Sequence, residues 1–178
     1  MTLMNTANDN LYPSLENLGA ATGFIDEIFG IMEQIPLFGD FDLTQVEQLA
    51  AYMECFGAPS ATTLLQEGQE GDYLLLVLTG SVDVIKSMPG QGNKLVATVG
   101  PGGILGEMSL VDGQKRNASC IAREPTDFAV LRRGSLNVLL NRSPALGARF
   151  LLVLLTEMTR RLREANQRML PFIAPSTI

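Results

Sequence analysis

Apolar residues recur with a helical period before residue 56. Five of them follow the spacing i, i+1, i+4, i+5 and i+8, namely Phe24, Ile25, Ile28, Phe29 and Met32. This stripe predicts a short amphipathic helix over 23–32. A second helix is predicted from Leu43 to about Cys55, with Thr44 as its N-cap and Glu47 at the capping-box position.

The pattern changes between residues 59 and 140, where short β-rich runs alternate with glycines. Apolar and polar residues alternate after Ser81, and further half-buried strands are predicted over 95–99 and 127–131. The polar, glycine-rich segment 89–93 is predicted to be a hairpin tip. This part of the chain is therefore expected to be a compact β unit.

A short helix is predicted over 136–140 and a long one over about 145–169. The long helix carries apolar residues at alternating intervals of four and three, which are Leu151, Leu155, Met158, Leu162, Ala165 and Met169. This seam is typical of a coiled coil and favours a parallel homodimer through Leu151–Met169. In that dimer, Arg160, Arg161 and Arg163 would pair with Glu157 and Glu164 of the partner helix. The alternative is that the helix packs on its own domain.

Composition narrows the classes of function. The 178 residues carry a formal charge of −6, which argues against a broad nucleic-acid surface. There is no histidine, so imidazole-based metal sites and acid–base devices are excluded and no metal is expected. Cys55 and Cys120 have no ligand-like spacing and are expected to be buried free thiols. No signal peptide or membrane-spanning run is present, so a cytoplasmic protein without membrane contact is expected.

The candidate chemistry lies in the stretch 102–119. Its glycines permit tight turns, and 107–110 predict one helical turn whose first N–H groups suit a phosphate. Ser109 adds a hydroxyl there, and Arg116 would give forked, charge-assisted hydrogen bonds to phosphate oxygens. Glu107 is a strong acceptor for sugar hydroxyls, so the ligand is expected to carry ribose and phosphate. The alternative is a structural ion pair of Glu107 and Arg116 around a surface loop.

At these residues the sequence resembles the phosphate-binding cassette of the cyclic nucleotide-binding domain family, which includes bacterial catabolite activator proteins and kinase regulatory subunits. The matching residues are Gly106-Glu107-Met108-Ser109-Leu110 and Arg116-Asn117-Ala118-Ser119. Upstream, 64–71, 74–77 and 80–82 look like the family's first hairpin pattern, and the resemblance covers roughly 35–169. It implies an α+β, mainly β fold: a double-stranded β-helix or jelly-roll barrel with N-terminal helices and a long C-terminal helix.

The implied organisation has four parts. Residues 1–22 are expected to be a flexible N-terminal arm and 23–144 the cyclic nucleotide-binding barrel with its helical bundle. Residues 145–170 would be the dimerisation helix and 171–178 a tail. The helix-turn-helix domain of the activators is not expected, since few residues follow the last helix.

The resemblance also implies a set of binding residues: Gly106, Glu107, Met108, Ser109, Arg116, Asn117, Ala118, Arg163 and Asn166. Asn117 replaces a common serine or threonine, which leaves the base preference open. The positions that match the activators' base-contacting pair are Ala165 and Asn166, so base recognition would be weak, altered or partly taken by Arg163.

The first hypothesis is a non-catalytic cyclic mononucleotide sensor, cAMP being favoured over cGMP, that signals to an unidentified effector protein through its last helix. It needs no cofactor, and a cyclic dinucleotide ligand stays open. The alternative is a degenerate cassette that serves as a structural or protein-interaction module without nucleotide. An enzyme is not expected, because there is no histidine and neither cysteine has a recognisable partner.

Overall fold

The structure is a computed structural model that describes residues 11–34 and 41–170. The strands of this part of the chain are β1 (Glu16–Ala20), β2 (Met53–Ala58), β3 (Thr63–Leu65), β4 (Tyr73–Val77), β5 (Val82–Met88), β6 (Gly92–Val99), β7 (Ile104–Leu105), β8 (Ser119–Ala122) and β9 (Thr126–Arg132). The helices are α1 (Ile25–Gln34), α2 (Leu43–Ala50), α3 (Glu107–Asp112), α4 (Arg133–Arg142) and α5 (Pro144–Met169), with a 3-10 turn over Ala21–Phe24.

The strands form two antiparallel sheets. One has the order β1-β2-β9-β4-β7 and the other the order β3-β8-β5-β6. Fully buried side chains such as Phe56, Leu75, Val82 and Phe128 come from both sheets and pack in one cluster. A second cluster joins the other face of the five-stranded sheet to the helices. The double-sheet core agrees with the expected jelly-roll arrangement.

Two parts of the fold prediction need correction. The sheets do not close into a barrel, because β1, β7, β3 and β6 each end a sheet. The mainly β description fits 53–132, but over the described residues helices hold more of the chain than strands, since α5 alone spans 26 residues. The fold is therefore mixed, with α5 as its longest element.

The prediction of a flexible arm is wrong for residues 11–22. Strand β1 pairs with β2, and Tyr12 is only 8% exposed. The Tyr12 hydroxyl donates a hydrogen bond of 2.7 Å to the main-chain oxygen of Leu64. An edge strand is held by backbone hydrogen bonds and needs few apolar side chains. The polar composition of this segment therefore did not predict strand β1. Residues 1–10 lie outside the described residues.

The second helix differs from its prediction at both ends. It begins after Asp42, whose side chain accepts a hydrogen bond from the Gln45 N–H while the Gln45 side chain accepts one from the Asp42 N–H. The capping box is thus formed by these two residues and not by Thr44 and Glu47. The helix ends at Ala50, and the expected last turn is instead strand β2, which pairs on both sides.

Helix α5 buries its apolar side chains against the domain in its first half. Leu146, Phe150, Val153 and Leu154 are buried there, and a methyl group at Gly147 would lie 2.7 Å from the Leu140 side chain, so α4 and α5 are in close contact. The predicted seam is largely exposed, with Leu155, Leu162 and Met169 at 54–61%. No helix within 11–34 or 41–170 has the length and apolar character needed to cross a membrane.

The capping box gives a direct test of the α2 start. Replacing the N-cap in Asp42→Ala is expected to lower the free energy of unfolding by about 1 kcal/mol, because the Gln45 N–H loses its acceptor. For a domain of this size, the melting temperature should fall by roughly 2–4 °C in calorimetry. The control is Thr44→Ala, which should change stability by less than about 0.5 kcal/mol. An equal or larger loss in Thr44→Ala would contradict the assignment.

Candidate functional site

A cavity of about 650 Å³ lies between the cassette, strand β6 and helix α5. Seven of the nine sequence-predicted residues line it, namely Gly106, Glu107, Met108, Ser109, Arg116, Asn117 and Ala118. The other walls come from 96–103 and from the face of α5 that carries Glu157, Arg161 and Glu164. The structure thus brings these seven residues together around one cavity.

The cassette begins with a tight turn into α3. Gly106 has a φ of 79°, a left-handed conformation that side chains with a Cβ rarely adopt, and Gly113 ends the helix with a φ of 71°. A Cβ at position 106 would also lie 2.5 Å from Nη1 of Arg116. The first-turn N–H groups of α3 have no intrahelical acceptor and lie beside the cavity. The buried Ser109 lies in the same turn.

Arg116 is a buried charged side chain of the cavity, at 4% exposure. Its Nη1 donates to the main-chain oxygen of Gly106 at 2.9 Å and its Nη2 to that of Tyr73 at 2.8 Å. The guanidinium carbon lies 4.4 Å from the centre of the Tyr73 ring. A Cβ at Gly71 would lie 2.3 Å from Nε, so only glycine leaves room for this position. Among the described residues, no carboxylate forms an ion pair with Arg116.

Glu107 has a different partner from the one that the sequence suggested. It is 5% exposed and its Oε1 accepts a hydrogen bond of 2.7 Å from Nη1 of Arg161. Arg161 also donates through Nη2 to the main-chain oxygen of Ile104. The alternative of a Glu107–Arg116 ion pair around a surface loop is therefore wrong. Arg161, which the heptad pattern predicted to pair with a partner helix, thus bonds to Glu107 of its own chain.

The face of α5 that borders the cavity is charged. Arg160 pairs with Glu157 at 2.6 Å and also with Glu164, both on its own helix. The cavity is further lined by Ala165 and Arg168, whereas Arg163 and Asn166 are exposed and do not line it. The structure thus does not bring these two predicted base contacts to the cavity of their own chain. Their helical phase points them away from the face that carries 157, 161 and 164.

The thiols do not add reactive groups to the cavity. Cys55 and Cys120 are buried and unpaired with each other, as predicted, and Cys120 lies in the cavity wall. Burial raises the pKa of each thiol to about 12, so both are protonated and poorly nucleophilic at neutral pH. Across the described ranges, no cluster of three or more His, Cys, Asp or Glu side chains is arranged to hold a metal ion.

Comparisons with known proteins identify relatives of this chain. The family model of the cyclic nucleotide-binding domain matches residues 58–143. A solved cyclic nucleotide-binding domain from Methylobacillus flagellatus is 47% identical, with a TM-score of 0.85 over 100% of both chains. The cyclic AMP receptor protein of Thermus thermophilus is 35% identical over 135 residues, which cover 76% of this chain and 61% of that protein. A cAMP-dependent protein kinase regulatory subunit from Aspergillus niger is 27% identical over 110 residues.

The kinase subunit match covers 61% of this chain but 26% of that protein, so the chain spans about a quarter of that relative's length. The kinase protein is a regulatory subunit by name, and the family model spans the cassette and strands β3 to β9. From the sequence motif, the fold and these matches together, the chain belongs to the cyclic nucleotide-binding domain family.

Proposed function

We propose that this chain is a non-catalytic sensor that binds a cyclic mononucleotide in the cavity and relays its presence to a partner protein through α5. The observation that carries the proposal is Arg116, a buried cation that forms no ion pair with the described carboxylates. Burying a charge is costly unless an opposite charge or good hydrogen bonds compensate it. The two carbonyl groups and the Tyr73 ring orient the guanidinium, and an anion would complete its coordination.

A cyclic phosphate suits the surroundings of Arg116. Two of the five guanidinium N–H groups bond to main-chain oxygens, which leaves donors for phosphate oxygens. The first-turn N–H groups of α3 add further donors. A phosphodiester carries a single negative charge, so one arginine neutralises it without a second cation or a metal ion. This balance favours a cyclic nucleotide over a nucleoside polyphosphate.

The ribose is proposed to bond to Glu107. Its carboxylate is buried beside the phosphate donors and is an acceptor for a sugar hydroxyl. Arg161 fixes its orientation from α5. A hydroxyl that bonds to Glu107 would enter between the cassette and α5, so the ligand would alter the contact that joins them.

The preference for cAMP over cGMP rests on the relatives. The Thermus thermophilus protein is a cyclic AMP receptor and the Aspergillus niger protein belongs to a cAMP-dependent kinase. The base would lie near α5, where Ala165 offers no polar group and Arg160 is already bonded to two glutamates.

The exposed seam of α5 supports a homodimer as the relay. Leu151, Leu155, Leu162 and Met169 lie on one face of the helix and are 38–61% exposed. Glu157, Arg161 and Glu164 on another face line the cavity. The same helix thus presents one surface to the ligand and another to a second copy or an effector, so a shift of α5 would change both.

Thermal unfolding identifies the ligand. With cAMP at about a hundred times its Kd, the folded state is stabilised by about 2.7 kcal/mol, and the melting temperature should rise by roughly 5–10 °C. Cyclic GMP, cyclic di-GMP and linear AMP form the comparison set. Arg116→Ala should abolish the rise and weaken cAMP binding in calorimetry by at least about 100-fold, because two charge-assisted hydrogen bonds are lost.

Each outcome of that panel has a distinct meaning. A rise with cAMP in the wild type and none in Arg116→Ala supports the proposed site. A larger rise with cGMP would overturn the base preference alone. No rise with any cyclic nucleotide at millimolar concentration, from protein purified free of nucleotide, would favour the interaction-module alternative.

Gly71 tests the position of the guanidinium without removing its charge. The Gly71→Ala substitution should reduce cAMP affinity at least about tenfold, because the new methyl group pushes Arg116 away from the cavity floor. The fold should tolerate it, since the contacted atoms end a flexible side chain. Gly134→Ala is the matched control, as a Cβ there meets no atom within 4 Å. Calorimetry that finds equal affinities for the two variants would exclude this role of Gly71.

Two similarly exposed leucines of α5 allow a test of the predicted dimer. Leu162 lies on the seam and is 61% exposed, whereas Leu152 lies off it and is 63% exposed. Leu162→Glu should shift the protein to monomer in sedimentation velocity, because a carboxylate buried in the seam costs roughly 3 kcal/mol or more. Leu152→Glu should sediment as the wild type does. A wild type that is monomeric, or a dimer lost only in Leu152→Glu, would contradict the seam.

A further inference from the structure

Lys86 lies on β5 and reaches the residue that follows Arg116. Its Nζ donates to the main-chain oxygen of Asn117 and, at 3.2 Å, to the Asn117 side-chain Oδ1. It also pairs with Glu67 Oε1 at 2.7 Å. An ammonium group has three N–H donors, and these three acceptors account for all of them. Lys86 is therefore placed to fix Asn117 rather than to bond a ligand directly.

Glu67 holds Lys86 in that position. Its second oxygen, Oε2, accepts a hydrogen bond of 2.9 Å from the Ser87 N–H, so the carboxylate is bound at both ends to β5. The hydrogen bond from Lys86 and the one from Ser87 lower the pKa of Glu67, which keeps it ionised at neutral pH. The carboxylate also offsets the charge of the ammonium. Lys86 thus adds little net positive field to the cavity.

The segment held by Lys86 is the same one that carries Arg116. Arg116 exchanges main-chain hydrogen bonds with the turn before β4, since Gly68 N donates to Arg116 O at 2.9 Å and Arg116 N donates to Gln69 O at 2.8 Å. Asn117 follows directly and lines the cavity, but its side chain is exposed enough to rotate without this restraint. The Lys86 contact therefore restrains a side chain that packing leaves free.

We propose that Lys86 is a positioning residue of the nucleotide site: by holding both oxygens of Asn117, it makes the Asn117 amide present its N–H₂ group to an acceptor of the bound cyclic phosphate. This inference rests on the proposed function. A carboxamide has one acceptor end and one donor end, and bonding Oδ1 to Lys86 leaves Nδ2 as the end for the ligand. Without Lys86 the amide can turn its oxygen toward the phosphate, where two acceptors repel.

The test is a double-mutant cycle on the full chain, with cAMP binding measured by calorimetry. Lys86→Met and Asn117→Ala should each lower affinity by about tenfold, since each removes one oriented hydrogen bond to a charged group. The double variant should lose about tenfold as well, because both changes remove the same contact. Lys94→Met is the matched control: Lys94 is the exposed residue opposite Lys86 on β6, and its loss should leave affinity unchanged.

A second measurement distinguishes orientation of the Asn117 amide by Lys86 from a general stabilising effect of Lys86 on the fold. The Asn117 side-chain N–H₂ signals in the wild type should shift on addition of cAMP in ¹⁵N-resolved NMR, and those of Lys86→Met should shift little. If Lys86→Met lowers the melting temperature by several degrees, Lys86→Gln replaces it in the same cycle.

Three results would overturn the proposal. They are an unchanged affinity in Lys86→Met, a double variant whose loss is about a hundredfold and thus additive, and equal losses in Lys86→Met and Lys94→Met. Each of these leaves the proposed function intact, because wild-type protein still binds. A wild type that binds none of the cyclic nucleotides overturns both proposals together.

Discussion

The burial of the Arg116 guanidinium is the constraint on which the site depends. A cation at 4% exposure that forms no ion pair with a described carboxylate must be held by dipoles and by an aromatic ring, and the chain supplies both through main-chain oxygens of Gly106 and Tyr73 and the ring of Tyr73. These contacts come from β4 and from the turn before α3, so the guanidinium joins elements far apart in sequence. A Cβ at position 71 or 106 would overlap with the guanidinium, and both positions are glycine. These two glycines are therefore explained by the Arg116 side chain, and Gly106 also by its left-handed backbone conformation.

Support for this side chain extends to the N-terminal segment. The Tyr12 hydroxyl lies 3.3 Å from that of Tyr73, and its ring packs edge-on against Tyr73, Phe56 and Phe128. Tyr73 in turn lies under the guanidinium. A segment that its composition marked as a mobile arm is thus part of the packing beneath the site. Burial also raises the pKa of Tyr12, so its hydroxyl stays a hydrogen-bond donor throughout the neutral range.

The sequence predicted those elements whose formation depends on residues close together in the chain. The cassette, the short α3, the hairpin at 89–93 and the long α5 follow from glycine spacing and apolar periodicity, and all lie close to their predicted bounds. What it missed depends on tertiary position. The rotation of α5 about its axis decides that Arg161, and not Arg163, borders the cavity. A periodicity of 3.5 residues does not set that rotation relative to the sheets. The α2 cap was misplaced by two residues, since Asp42 and Thr44 both satisfy the residue preference for an N-cap and only the hydrogen bonds distinguish them.

The proposed relay has a physical basis in the contacts of α5, which are more extensive in its first half than in its second. Its first half is fixed by Phe150, Val153 and Leu154 and by the close approach of Gly147 to Leu140. Beyond Leu154 the helix extends for roughly 20 Å, and its strongest described link to the domain is Arg161, bonded to Glu107 and to the Ile104 oxygen. A ligand hydroxyl that bonds to Glu107 would compete with Arg161 for this carboxylate. Because the helix is rigid, a small tilt about its buried first half would become a larger displacement of the seam at Leu162 and Met169. Coupling between the nucleotide and the seam therefore needs no long chain of intermediate contacts: the pair that closes the cavity also sets the position of the surface proposed for the partner.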